Sequence, residues 1–245
     1  LRKANMKEEL EASRAESDFL AGVIFHKKIF SGHPYAVTAP SDDSLRRLDR
    51  KMVAAAHKRL FTPQGAFLVL VGDISKPDAR ILVDKHFGYW SGGPAASDAP
   101  PLTMGPAERT IYLFDRPKSS QVSFLIGNQA VREDHPSYFD LLMANQVLGG
   151  SFSSRLVRDI RESKGYTYNI GSRFEHRLSG SLLRIRTPLR SEVAALALAA
   201  ILAHIDALRR EEATGDELKQ AKTYLAGSFA RSLETQGGVA DAVLK

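Results

Sequence analysis

The run GGSFSSRLVRDIRESKGYTY, from Gly149 to Tyr168, constrains this chain more than any other stretch. A glycine pair followed by serines starts a helix well, because serine oxygens accept the unpaired amide hydrogens of a first turn. Leu156 and Ile160 repeat at helical spacing, and Gly165 supplies the left-handed residue at which such a helix stops. The alternation from Tyr166 through Phe174 then predicts a strand. Arg161 is thus expected near a helix end and Tyr168 on the strand that follows, seven positions later and within reach of one ligand.

The patterns on either side of this junction alternate between helix and strand. Residues 1–30 read as one long helix whose later apolar positions, Leu20, Val23, Ile24, Phe25 and Ile29, thicken into a buried face. Gly32 and Pro34 end it. A second helix is predicted from Ser41 to about Leu60, with Asp42 and Asp43 complementing its dipole. Ala66 to Gly72 is a continuous apolar run of strand length, expected to be covered on both faces or central in a sheet. Pro77 stands near the start of a helix ending at about Phe87.

Residues 91–108 lose all periodicity and fill with Gly, Pro, Ser and Ala, the composition of a linker. Beyond it the pattern restarts. Strands are predicted at Arg109–Phe114 and Gln121–Gly127, then a helix at Tyr138–Leu148 and a hairpin turning at Leu178-Ser179-Gly180. Two amphipathic helices follow, Glu192–Arg210 and Asp216–Leu233. Helices and strands thus share the chain, which is expected to be α+β. The expected organisation is residues 1–90, a linker at 91–108, and a second domain at 109–245. Leu1 opens directly on a helical pattern, and the last ten residues read as a turn entering a helix, so the chain is expected to be part of a longer protein.

Composition narrows the chemistry. None of the 245 residues is cysteine, which removes disulfides, thiolate metal sites and cysteine nucleophiles and selects no compartment. The net charge of +6 is spread along the chain without a basic block, so no nucleic-acid partner is expected. No apolar run in the sequence reaches the ~18 residues of a membrane span. No two of the seven histidines stand three or four residues apart, the spacing at which two can share a helix face on a metal. Ser172-Arg173-Phe174-Glu175-His176 has the tail of an H-x-x-E-H motif, but with serine in the first position and on a predicted strand. Gly149-Gly150-Ser151 lacks the Lys-Ser/Thr ending of a phosphate loop, and a nucleotide-binding module is disfavoured.

SRLVRDIRESKGYTYNI, together with IFSGHPY, LVLVGDIS and the FG-W that follows it, resembles the pitrilysin/insulinase family of zinc metallopeptidases, the inverted H-x-x-E-H class. The match runs along essentially the whole chain, and RESKGYTY is its most specific part. The resemblance implies an α+β fold of two homologous α/β halves, each a mixed, mainly antiparallel sheet with helices packed on it, closing as a clamshell on an extended peptide, with the first half only partly present here. One half of such a protein holds zinc through two histidines and a downstream glutamate. The other supplies an arginine and a tyrosine that hold the substrate backbone and stabilise the reacting carbonyl; they match Arg161 and Tyr168.

The chain departs from the catalytic pattern because H-x-x-E-H occurs nowhere in it. Either the motif precedes Leu1, or the chain is of the non-catalytic partner type. In catalytic halves the distal zinc-ligand glutamate falls at about Glu9, but the acidic residue expected seven positions earlier is Arg2, whose charge opposes a metal. The non-catalytic reading is preferred, with zinc in the complete enzyme or a partner subunit and none on this chain. The implied partners are a peptide or unfolded-protein substrate and a catalytic half or subunit, in a heterodimer or homodimer in the bacterial periplasm or cytoplasm. The alternative is a structural assembly subunit with the same fold and no role in proteolysis.

Overall fold

The computed structural model describes residues 2–93, 100, 102, 103, 105 and 108–244, so most of the linker expected at 91–108 lies outside the described residues. The chain divides into two compact units, residues 1–45 with 99–223 and residues 46–98 with 224–245.

The larger unit is built on a three-stranded antiparallel sheet of β1 (Gln121–Ala130), β2 (Gly171–Arg177) and β3 (Gly180–Arg190), in the order β1-β3-β2. β2 and β3 form the expected hairpin, with Arg177 opposite Gly180 across the turn, and Gln121 of β1 faces Arg190. β3 is central and covered on both faces, so Leu182, Ile185, Thr187 and Leu189 are all buried.

Helices cover the two faces of this sheet. On one face the α7 helix (Ala194–Arg210) presents Ile201 to a core made with Leu148, Leu156, Val157, Ile160, Ile170 and Ile185. Ala200, Ile205 and Leu208 pack at its margin, so α7 uses one helical stripe. The surrounding segment Ser191–Arg210 is nevertheless long and apolar enough, by length and composition, to cross a membrane, which the sequence reading did not anticipate.

The other face carries α2 (Ser17–Ile29), which follows α1 (Arg2–Ala15). Ser17 Oγ lies 3.2 Å from Ser123 Oγ, the Asp18 carboxylate accepts from Arg186 Nε at 2.6 Å, and His26 Nε2 lies 3.4 Å from Glu175 Oε2. The expected single helix over residues 1–30 is thus two, separated at Glu16, whose extended backbone redirects the chain.

The expected helix from Ser41 to Leu60 is likewise two, α3 (Asp42–Arg47) and α4 (Arg50–Leu60), because the Asp49 side chain caps α4 by accepting from Met52 N at 2.7 Å. The smaller unit continues with α5 (Lys76–Phe87), capped by Ser75 and with Pro77 in its first turn. Further along the chain come α6 (Tyr138–Asn145), α8 (Gly215–Ser232), which runs from the larger unit into the smaller, and α9 (Gln236–Leu244).

Two predicted strands are not formed as strands. Ala66–Gly72 has no ladder partner among the described residues, and Phe67 is 87% exposed. Arg109–Phe114 likewise pairs with no strand there, and Leu113 is 87% exposed. Their apolar patterns suit strands, but a strand exists only where a second backbone takes its hydrogen bonds.

Candidate functional site

The glycine pair closes α6 rather than opening a helix. Residues Gln146–Gly150 continue α6 as a widened π-type turn, which packs against β2. A Cβ at Gly149 would stand 2.8 Å from the Ser172 backbone nitrogen, so no larger residue fits without moving the strand. The serine run then forms a compact turn, in which Ser154 N donates to Ser151 O at 3.2 Å and Ser151 Oγ donates to Gln146 O at 3.4 Å. Phe152 projects from this turn, 75% exposed.

Residues Val157–Ser163 form a second widened turn. Leu156 and Ile160 are fully buried and anchor it to the core. Its end is made by Lys164 N donating to Asp159 O at 2.9 Å and Tyr166 N donating to Ile160 O at 3.0 Å, and Gly165 takes the left-handed conformation at φ 62°. Such π-type turns rotate a side chain away from its α-helical direction, and functional sites use them often. Arg161 stands here, half-buried.

Tyr168 lies at a bend before β2, not on the strand as the alternation predicted. A strand would put Tyr166, Tyr168 and Ile170 on one face. Instead the Thr167 hydroxyl bonds the Pro188 and Asn169 carbonyls, while Tyr166 and Ile170 pack inward, and Tyr168 turns out, 86% exposed.

The structure brings Arg161 and Tyr168 together, with the guanidinium carbon 5.3 Å from the tyrosine ring centre. It also lies 5.3 Å from the ring centre of Phe152. Both contacts are of cation–π type. Arg161 makes no hydrogen bond or ion pair with any described residue, so none of its five N–H donors is taken by one of them. Asp159 and Glu162 are the acidic residues nearest to it in sequence. Asp159 is instead taken by Lys164 and by His204 Nε2, the latter at 2.9 Å. Burial opposes its ionisation, but the hydrogen bonds from Lys164 and His204 outweigh that and hold its pKa below the ordinary value.

A second ion pair braces the same region. Arg155 donates from Nε to Glu217 Oε1 at 2.6 Å and from a terminal nitrogen to Oε2 at 2.8 Å, and Thr214 N donates to Glu217 Oε2 at 2.9 Å. The Arg155 hydrogen bonds are the main cause that brings the Glu217 carboxyl down to about 2, against the opposing effect of burial. The serine turn is thereby tied to the first turn of α8.

The remaining candidate, Glu9, is an exposed residue of α1. No group of three or more His, Cys, Asp or Glu residues that could hold a metal ion occurs among the described residues. Glu175, in the partial H-x-x-E-H tail, is bound to Arg184 at 2.6 Å and sits beside His26, Arg173 and Arg177, the setting of a structural carboxylate. Among the described residues, therefore, no set of donors fits a zinc site. Phe152 was not singled out from the sequence, although a lone aromatic ring between two serines of a turn is the signal that marks it.

Fold and site together define an α+β domain in which a cation without a described hydrogen-bond or ion-pair partner stands beside two exposed rings, with no metal-donor cluster among the described residues. The chain belongs to the peptidase M16 family: the model for the peptidase M16 inactive domain matches residues 47–225. It is 29% identical over 175 residues to the uncharacterized zinc protease YmxG of Bacillus subtilis, covering 71% of this chain and 42% of the relative. Among solved structures it is similar to the peptidase M16 inactive domain from Pseudomonas fluorescens, with a TM-score of 0.84, 26% identity, 92% of this chain and 55% of that one covered. A protease from Helicobacter pylori shares the fold, with a TM-score of 0.83, 20% identity, and 96% and 59% coverage. The chain thus spans about half the length of the relatives it matches, and the family resemblance read from the sequence holds.

Proposed function

We propose that this chain is the substrate-clamping, non-catalytic portion of a zinc peptidase, and that Arg161 and Tyr168 hold an extended peptide against a zinc-bearing half or partner subunit. In this reading residues 1–90 close a first domain and residues 109–245 belong to the second. The observation that carries it is the state of Arg161, whose guanidinium is half-buried, steadied by two rings and unpaired among the described residues. An arginine serving only structure would be expected to bond a carboxylate or a helix-end carbonyl. A carbonyl oxygen brought to Arg161 receives charge-assisted hydrogen bonds, and the Tyr168 hydroxyl supplies one more donor to the same oxygen. Donors fixed in advance favour the more negative oxygen of the transition state over the ground-state carbonyl. Cleavage itself belongs to the zinc-bearing half.

The test is peptide cleavage by this chain combined with its zinc-bearing half, comparing wild type with an Arg161→Ala/Tyr168→Phe double variant. Loss of one preorganised donor typically costs about 100- to 1,000-fold in rate, and a loss of that size or more is expected. Equal rates would end the clamp reading and favour the structural assembly subunit.

A further inference from the structure

The Phe152 ring is the third wall of the Arg161 site, and nothing in the clamp reading requires it. We propose that Phe152 is a specificity-determining residue that makes the site select peptides with an aromatic or large apolar side chain beside the carbonyl gripped by Arg161. This inference rests on the clamp reading and adds a substrate class to it.

Several observations converge. Phe152 is held in place although it is exposed: its turn is closed by the Ser154–Ser151 hydrogen bond and seated on the close Gly149–Ser172 contact. Arg155, three residues on, locks the same turn to α8 through its two bonds to Glu217. The Phe152 ring is 75% exposed, and its ring contact among the described residues is with the Arg161 guanidinium. Tyr168, at the same distance from the guanidinium, is also mostly exposed. The guanidinium therefore meets a backbone acceptor with an apolar ring on either contact, and one of those rings, Phe152, has no polar atom with which to bind peptide backbone.

The chemistry follows from this arrangement. A peptide whose carbonyl is fixed at Arg161 carries its neighbouring side chains within a few ångströms of the rings. A flat or large apolar side chain can lie on the Phe152 face and remove both surfaces from water, whereas alanine leaves the ring wet and a carboxylate side chain would compete for the guanidinium. Aromatic pairing of this kind, beyond simple area burial, is worth on the order of 3- to 10-fold in relative affinity.

The experiment uses the complete protein, this chain with its zinc-bearing half, and two peptides that differ only in Phe or Ala next to the scissile carbonyl. The wild type is expected to prefer the phenylalanine peptide by about 3- to 10-fold in kcat/KM. Phe152→Ala should bring that ratio close to 1, chiefly through KM, and Phe152→Tyr should restore it. Arg161→Ala should lower both peptides together. A wild-type ratio near 1, or a ratio unchanged in Phe152→Ala, overturns the proposal while leaving the clamp untouched. No effect of Arg161→Ala on either peptide removes the clamp itself. Circular dichroism and the thermal midpoint of Phe152→Ala separate loss of selectivity from loss of fold, and Phe152→Leu provides a second variant that keeps apolar bulk without the flat ring.

Discussion

Replacing Glu217 with glutamine removes the charge from the carboxylate that pins the serine turn to α8. Arg155 meets this carboxylate through two bonds of 2.6 and 2.8 Å, and the side chains keep only 16% and 21% of their exposure. The Glu217 pKa falls from an ordinary 4.5 to about 2 in the folded protein, with the Arg155 hydrogen bonds as the largest cause. Taken at face value this is worth about 3 kcal/mol; solvent at the edge of the pair screens it to about 2 kcal/mol.

The sign is that of a depressed carboxylate. Its contribution is complete above the unfolded pKa near 4.5 and disappears as the pH falls through about 2. Urea unfolding of wild type and Glu217→Gln should therefore show a gap of about 2 kcal/mol at pH 7. The gap should narrow as the pH falls from about 5 towards 2, where the unfolded chain takes up a proton that the folded carboxylate still refuses, and it should close below about 2, where folded Glu217 is protonated as well. A gap that stays constant over that range would refute the assignment of the low pKa to this pair. So would the absence of a gap at pH 7.

Other consequences can be measured on the same preparation. Ile160→Ala removes a fully buried side chain from the turn beneath Arg161 and should cost about 2–5 kcal/mol in denaturant unfolding. Gly149→Ala places a methyl group 2.8 Å from the Ser172 backbone nitrogen and should cost about 1–3 kcal/mol, lowering the calorimetric midpoint. Gly165→Ala forces a side chain into the left-handed region at φ 62° with open space around it, so a smaller loss of about 1–2 kcal/mol is expected. A larger effect at Gly165 than at Gly149 would show that backbone strain, rather than the close approach to β2, governs this junction.

Much of the architecture was legible because its causes are local. The hairpin of β2 and β3 follows from alternation around a two-residue turn, and Gly165 ends its helical turn in the left-handed conformation that the sequence implied. Capping by Asp49 and Ser75 could also have been anticipated, since short polar side chains compete for the first amides of a helix. The Arg161–Tyr168 pairing was accessible for a related reason: few residues separate the two, and the intervening chain turns in a predictable way.

Other features depend on contacts between segments distant in sequence. Ala66–Gly72 and Arg109–Phe114 have the composition of strands, but pattern alone cannot provide the second backbone that makes a ladder. Whether an acidic residue is available to Arg161 was also undecidable from spacing. Asp159 is two positions away, and only the folded arrangement gives it to Lys164 and to His204 on α7.

By itself the sequence determined the helix and strand periods, the lack of cysteine and of H-x-x-E-H, and the candidate pair Arg161 and Tyr168. Tertiary structure decided that Tyr168 turns outward at a bend, that Arg161 is left unpaired among the described residues, and that Phe152 joins them from nine positions upstream. The physical reason is the pair of widened turns. Their geometry answers to close packing against β2 and the core, and packing is a property of the whole fold rather than of any short stretch of residues.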